Sequence, residues 1–175
     1  MTPSSITLSH KRVLSVAVPI VLANATIPIL GAVDTAVVGQ MGLAVPIGAV
    51  GIGAIIISAI YWLFGFLRMG TTGLTAQAIG SNDQSETSAL LVRGVIIGLV
   101  AGLTLIVTQV PLFGGALGLA PASLEVEALA QEYLKIRVYS APAAIAVFGI
   151  TGWLIAKERT RAVLVVMLLV NTINI

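Results

Sequence analysis

Residues 13–38 read VLSVAVPIVLANATIPILGAVDTAVV, and Asp34 is the only charged side chain among them. Arg12 precedes this stretch, and the next charge after Asp34 is Arg68. Such an apolar run is long enough to cross about 30 Å of hydrocarbon as a helix. A carboxylate in these surroundings is costly unless it faces protein, water or a cation. The stretch therefore predicts a membrane-spanning helix and marks Asp34 as a candidate functional residue.

The composition of the whole chain argues against a soluble domain. Hydrophobic residues make up 58% of the sequence and charged residues 9%, whereas a soluble domain carries about 25% charged residues. There is no cysteine, and the single histidine, His10, lies in the polar N-terminal segment. The sequence thus offers no disulfide framework, no His/Cys metal site and no catalytic Ser/His/Asp set, so we predict neither a metal nor an enzyme.

Intervals without charged residues mark the membrane spans. Four such intervals hold 21, 33, 31 and 19 residues, and a fifth, after Arg161, holds 14. We predict an all-α transmembrane fold with helices near 13–38, 46–68, 91–112 and 128–156, and the start of a fifth over 161–175. A 14-residue helix would end with unpaired carbonyl groups inside the bilayer. We therefore expect the sequence to be the N-terminal part of one longer multi-pass membrane domain.

The distribution of Lys and Arg predicts the orientation. Two of the nine, Lys135 and Arg137, fall on the side opposite the N-terminus. The other seven share the side of the N-terminus: Lys11, Arg12, Arg68, Arg93, Lys157, Arg159 and Arg161. Because cytoplasmic loops are enriched in basic residues, we predict a cytoplasmic N-terminus in the inner (plasma) membrane. Short basic clusters between apolar runs also argue against nucleic acid as a partner.

Two further patterns concern local structure. Asp83 and Glu86, in the polar segment 80–88, have the spacing of a helix cap, so we interpret this segment as a loop that starts a helix. Glycines on the second and third predicted helices would allow neighbouring helices to approach closely. They are Gly48, Gly51, Gly53, Gly98 and Gly102.

Asp34 has two interpretations. It lies five residues before Gly39, or about 7 Å below the turn on the outer side. It is either an interfacial aspartate in contact with outside water, or a carboxylate that binds a proton or cation in a cavity open to the outside. The second interpretation would make it the coupling residue of a transporter.

Other residues of the same helix interrupt its apolar character. Pro19 and Pro28 each remove an amide donor and free a carbonyl group. They are either static packing kinks or a bend whose angle changes when Asp34 gains or loses a proton. Asn24 and Thr35 are candidates for lining a cavity or relaying protons. Asn24 and Thr26 either form interhelical hydrogen bonds or line the cavity.

Three polar residues lie on the later helices. Asn171 and Asn174 are three residues apart and share one helix face. They either hydrogen-bond to neighbouring helices or form a polar relay to Asp34. Tyr139 either anchors its helix at a membrane boundary or completes that relay through its hydroxyl group.

Six motifs resemble one transporter family in the order in which that family carries them. They are AVP (17–19), VDTAVVGQMG (33–42), GTTGLTAQAIGSND (70–83), YLKIRVYSAPA (133–143), GWLIAKERTRA (152–162) and NTIN (171–174). Together they resemble the multidrug and toxic compound extrusion (MATE) family, most closely its DinF-like branch. The segment KERTR (157–161) is more charged than the usual turn of the family.

The resemblance implies twelve helices in two six-helix bundles around a central cavity, of which this chain supplies part of the first. It implies an antiporter that exports drugs or other bulky, often cationic, organic compounds, with H⁺ or Na⁺ as coupling ion and no other cofactor. The expected partners are the lipid bilayer, the substrate and the C-terminal half of the transporter. The family's coupling residues correspond to Asp34, Tyr139 and Asn174, and its helix bend corresponds to Pro19. A second family aspartate would fall at position 178.

Two other functions compete with this interpretation. A lipid-linked oligosaccharide flippase has a related architecture, but it would favour several cavity arginines to meet a pyrophosphate, and the predicted membrane interior has none. A small structural membrane subunit is the other alternative.

Overall fold

The computed structural model describes residues 10–40, 42–120 and 122–174, without the side chains of residues 12, 27–30, 34 and 174. In these ranges the chain forms seven α-helices and one 3₁₀ turn, with no strand. The helices are α1 His10–Gly39, α2 Ala44–Leu63, α3 Gly65–Gly80, α4 Gln84–Leu119, α5 Leu124–Arg137, α6 Ala141–Ala156 and α7 Thr160–Asn174. The 3₁₀ turn, Val138–Ser140, joins α5 to α6.

Four segments of the described chain are long and apolar enough to cross a membrane. They are Val13–Gly39, Ala44–Gly80, Gln84–Leu119 and Leu124–Ala156, and α7 is a shorter apolar helix. The second segment combines α2 with α3, and the fourth combines α5, the 3₁₀ turn and α6. The predicted all-α transmembrane fold, with four spans and the start of a fifth, is therefore confirmed.

The second segment differs from the helix predicted over 46–68. The chain turns at Phe64, whose N–H donates to the carbonyl of Tyr61, and then continues as a helix to Gly80. The prediction ended this helix at Arg68 because that charge closes the apolar interval. The helix continues past Arg68 because α3 packs closely on α6: a Cβ on Gly152 of α6 would overlap the Arg68 carbonyl oxygen.

The helices predicted over 91–112 and 128–156 also begin earlier in the structure, at polar caps. The Asp83 carboxylate accepts the Glu86 N–H at 2.8 Å, and α4 starts at Gln84, as the cap pattern indicated. The Ser123 hydroxyl caps α5, which starts at Leu124. These first turns are polar and extend the helices beyond the apolar intervals on which the predicted boundaries relied.

The turns after α3 and α6 have the same geometry. Asn82 and Glu158 both adopt a left-handed conformation, with φ of 58° and 54°. In each turn the next residue donates its N–H five positions back: Asp83 to Ala78, and Arg159 to Leu154, both at 2.9 Å. These hydrogen bonds satisfy the last carbonyl groups of each helix and fix the entry into the next one.

The main core lies among α2, α4, α5 and α6, and glycine lets α4 and α6 touch. A Cβ on Gly98 would come within 2.5 Å of the Ala146 backbone, and one on Gly102 would overlap Pro142. The ring of Tyr133 fills the space beside Gly53. The close approach predicted for Gly53, Gly98 and Gly102 is therefore confirmed.

The remaining two helices, α1 and α7, form a pair. Each of them makes its most extensive contact with the other. A smaller core of Ala23, Leu154 and Val163 joins this pair to the end of α6. Two structural units thus share the fold: the glycine-packed helices α2–α6, and the pair α1–α7.

Candidate functional site

The α1–α7 pair carries most of the predicted site residues, and two hydrogen bonds join its helices. Near the start of both helices, the Thr160 hydroxyl donates to the Ser15 carbonyl at 3.4 Å. Farther along both helices, the Asn171 amide donates to the Thr26 hydroxyl at 2.5 Å. Since the order of contacts is the same along both helices, α1 and α7 run parallel.

The first contact lies at the level of Pro19. A helical residue at position 19 would normally donate its N–H to the carbonyl four residues earlier, which is that of Ser15. Proline has no N–H and cannot donate this hydrogen bond. The buried Thr160 side chain donates to the Ser15 carbonyl instead. The carbonyl opposite Pro19 thus takes part in a contact between helices.

The second contact forms a short polar chain inside the pair. Thr26 accepts from Asn171 and donates its own hydroxyl to the Ala23 carbonyl at 2.6 Å. Asn171 therefore bonds to α1, which is the interhelical role considered for it. A relay to Asp34 stays a prediction.

The structure does not describe the side chains of three predicted site residues: Asp34, Asn174 and Pro28. Their backbone positions lie within α1 and α7. Both contacts described above join residues 145 positions apart. The same separation brings position 174 level with residue 29, about 7 Å along the axis from Asp34. The coupling roles of Asp34 and Asn174 remain predictions.

Other predicted residues of α1 lie on its open surface. Asn24 is exposed, and so is Thr35, whose hydroxyl donates to the Gly31 carbonyl at 2.9 Å. Val18 and Val21 are exposed apolar neighbours. This face of α1 is available to line a cavity or to meet lipid, and Asn24 and Thr35 remain candidates for cavity lining.

Tyr139 lies away from the α1–α7 contacts. It belongs to the 3₁₀ turn, whose extensive packing is with α4, α5 and α6. Its side chain is 66% exposed. The described contacts therefore do not bring Tyr139 together with α1, and its part in a relay is a prediction.

One polar contact beside Tyr139 was missed by sequence reasoning. The Tyr61 hydroxyl lies 3.3 Å from the Ser140 hydroxyl, which donates to the Arg137 carbonyl at 2.8 Å. This contact ties α2 to the 3₁₀ turn. The available signal was a tyrosine hydroxyl in an apolar span, because such a group needs a partner there.

A threonine-rich contact among α3, α4 and α6 was also missed. Thr72 donates to the Gly152 carbonyl at 3.1 Å, and the Trp153 indole donates to the Thr87 carbonyl at 2.8 Å. The buried Thr75 hydroxyl has no partner among the described residues. These bonds hold α6 against both neighbours and make Trp153 a packing residue, whereas Trp62 is 83% exposed.

This geometry defines a multi-pass helical membrane protein, with polar hydrogen bonds buried between its helices. In the described ranges, no group of three or more His, Cys, Asp or Glu could hold a metal ion. Residues 19–175 match the MatE family, and the chain belongs to that family. The family resemblance carried by the sequence motifs is therefore confirmed.

Three relatives show how much of such a protein the chain represents. It is 37% identical over 170 residues to DNA damage-inducible protein F of Escherichia coli K12. The aligned region covers 97% of this chain and 37% of that protein. It is 33% identical over 98 residues to the probable multidrug resistance protein NorM of Shewanella oneidensis, covering 55% of this chain and 21% of that protein. It is 28% identical over 113 residues to Protein DETOXIFICATION 47, chloroplastic, of Arabidopsis thaliana, covering 63% of this chain and 20% of that protein.

The chain thus spans between 20% and 37% of the length of these curated relatives. No solved structure matches it.

Proposed function

We propose that this chain belongs to an ion-coupled antiporter that exports drugs or other bulky, often cationic, organic compounds across the cytoplasmic membrane. Membership of the MatE family supports the class. The Shewanella relative, a probable multidrug resistance protein, supports drugs as the type of substrate. The structural observation that carries the proposal is the Asn171–Thr26 hydrogen bond, because it links the helix of Asp34 to α7.

In this proposal Asp34 alternates between a proton-bound or cation-bound state and a free carboxylate. Its change of charge would alter the environment of α1, and Pro19 would let the helix bend. Because α7 is hydrogen-bonded to α1 at two points, it would move with α1. Movement of this pair against the glycine-packed helices would expose the cavity to alternate sides of the membrane.

The remaining parts of the proposal follow from topology and family. The N-terminus is cytoplasmic, and the coupling ion is H⁺ or Na⁺. A second helical bundle from the rest of the transporter would complete the cavity. Tyr139 and Asn174 would join Asp34 when the bundle changes shape.

The test is to measure export of a fluorescent organic cation from cells that express the whole gene product with Asp34→Asn. The control is Asp83→Asn, which removes the same charge outside the proposed site and keeps a good helix cap. We expect export to fall at least tenfold for Asp34→Asn and to stay within twofold of wild type for Asp83→Asn, at equal abundance in the membrane. Wild-type export by Asp34→Asn would remove Asp34 from the mechanism.

The coupling ion is identified in vesicles that contain the same protein. A pH gradient without Na⁺ and a Na⁺ gradient at constant pH are applied separately. Export driven by one gradient alone identifies the ion, and export that is independent of both would overturn the antiport proposal.

A further inference from the structure

A cleft of about 490 Å³ lies where the start of α1 meets the turn between α6 and α7. One wall is formed by Ser15 and Val16 of α1, and the other by residues 158–162. The Ser15–Thr160 hydrogen bond joins the two walls. The cleft is therefore formed by both helices of the pair.

The cleft is lined by positive charge. Arg159 and Arg161 line it, both are exposed, and neither has an ion-pair partner among the described residues. Lys11 lies one helical turn before Ser15, on the same face of α1. Glu158 is the one carboxylate among the described lining residues. The arrangement leaves two guanidinium groups available for an anion, and a guanidinium group matches the geometry of a phosphate.

The turn that forms one wall of the cleft directly follows the fourth apolar span, Leu124–Ala156. Because such a span ends where the hydrocarbon ends, we place the cleft near the membrane–water boundary. Val16 and Ala162 give the cleft apolar lining beside its arginines. A ligand that combines a phosphate with an attached hydrocarbon would contact both surfaces.

We propose that this cleft binds the headgroup of an anionic phospholipid, with Arg159 and Arg161 contacting the lipid phosphate. Basic pockets between membrane helices on the cytoplasmic side bind anionic headgroups in this way. The lipid would bridge α1 to the turn before α7 and hold the start of the pair together. The inference does not depend on the proposed export activity, because it concerns lipid binding at one end of the helices.

The test is native mass spectrometry of the purified protein, titrated with phosphatidylglycerol or phosphatidylcholine. We expect the first phosphatidylglycerol to bind more tightly than phosphatidylcholine. Arg159→Gln with Arg161→Gln should weaken phosphatidylglycerol binding about 30-fold, from the usual effect of two basic residues at an anionic surface. Glu158→Gln should strengthen it about fivefold, because a like charge is removed.

The matched control is Arg68→Gln with Arg93→Gln, which removes two charges from the same side of the membrane outside the cleft. Phosphatidylglycerol affinity within threefold of wild type in this control supports a specific site. If both double variants weakened phosphatidylglycerol binding equally, the proposal would be overturned in favour of general electrostatic attraction between the protein and anionic lipid.

Equal affinity for the two lipids would also overturn the proposal. Displacement of phosphatidylglycerol by inorganic phosphate at the same concentration would assign the cleft to a free anion instead. If the double arginine variant does not fold, Arg161→Gln and Glu158→Gln test the same site: unchanged binding in both would contradict it.

Discussion

Asn171 contacts Thr26 at a separation of 145 positions, and the same separation relates Thr160 to Ser15. The two contacts on each helix are therefore eleven residues apart, close to three full turns. Both contacts consequently fall on the same face of each helix, and the two helices pack in constant register. A pair held in register at two levels is expected to move as one body, with α7 following any displacement of α1.

The Asn171–Thr26 bond should contribute measurably to stability. We expect Asn171→Leu and Thr26→Val to be coupled, with an interaction energy between about 0.6 and about 1.7 kcal/mol, the average and the maximum for hydrogen bonds between membrane helices. The measurement is a double-mutant cycle of unfolding in mixed micelles. Asn24→Leu, on the exposed side of α1, is the control and should not couple to Thr26→Val. Additive effects of Asn171→Leu and Thr26→Val would mean that the bond adds nothing.

Pro19→Ala should stiffen α1 and weaken the Ser15–Thr160 contact of the pair. The introduced alanine would donate its N–H to the Ser15 carbonyl and compete with the Thr160 hydroxyl. Because the chain has no cysteine, spin labels can be attached at single introduced cysteines, here at Val21 and Val107. We expect a narrower distribution of distances between them and export reduced several-fold.

Pro46→Ala is the control for this experiment. Pro46 lies in the first turn of α2, where proline does not break an intrahelical hydrogen bond. Pro46→Ala should leave the distances between the spin labels and the export rate unchanged. The bend would be excluded as a functional element if Pro19→Ala behaved in the same way.

The sequence predicted the spans well and the partners of single residues less well. The apolar intervals located four spans, and the Asp83–Glu86 spacing located the start of α4. The continuation of the helix to Gly80 was missed because the charge of Arg68 closed the apolar interval, whereas α3 packs on α6 beyond that charge. Local patterns do not report such packing.

The prediction of candidate site residues from the sequence was limited in the same way. Pro19 indicated a free carbonyl, and Asn171 indicated a need for a partner. Thr26 was a candidate for interhelical hydrogen bonding, but its pairing with Asn171, and the donor Thr160, became evident only from the register of two helices that are 145 residues apart in sequence. Tyr139 was chosen for its hydroxyl group and by resemblance, and the described packing of its turn is with other helices.

Close packing of α4 against α6 should make Gly102 intolerant of a side chain. A Cβ there would overlap the Pro142 backbone, which has no flexible end to move away. Gly102→Ala should lower the free energy of unfolding by about 1–3 kcal/mol, the usual cost of overpacking. Gly115→Ala on the same helix meets open space and should be neutral or stabilise by up to about 1 kcal/mol. Thermal unfolding followed by circular dichroism distinguishes them, and equal effects would argue against close packing.

Replacing Glu158 with asparagine should stabilise the turn after α6. Glu158 adopts φ of 54°, a conformation that costs a residue with a Cβ about 1 kcal/mol and that asparagine tolerates. The equivalent position after α3 is already Asn82, at φ of 58°. We expect Glu158→Asn to raise the free energy of unfolding by about 0.5–1 kcal/mol relative to Glu158→Gln. Both variants remove the carboxylate and its interactions, so their difference in thermal unfolding isolates the backbone effect. Equal stability of the two would show that the left-handed conformation at this turn carries no cost.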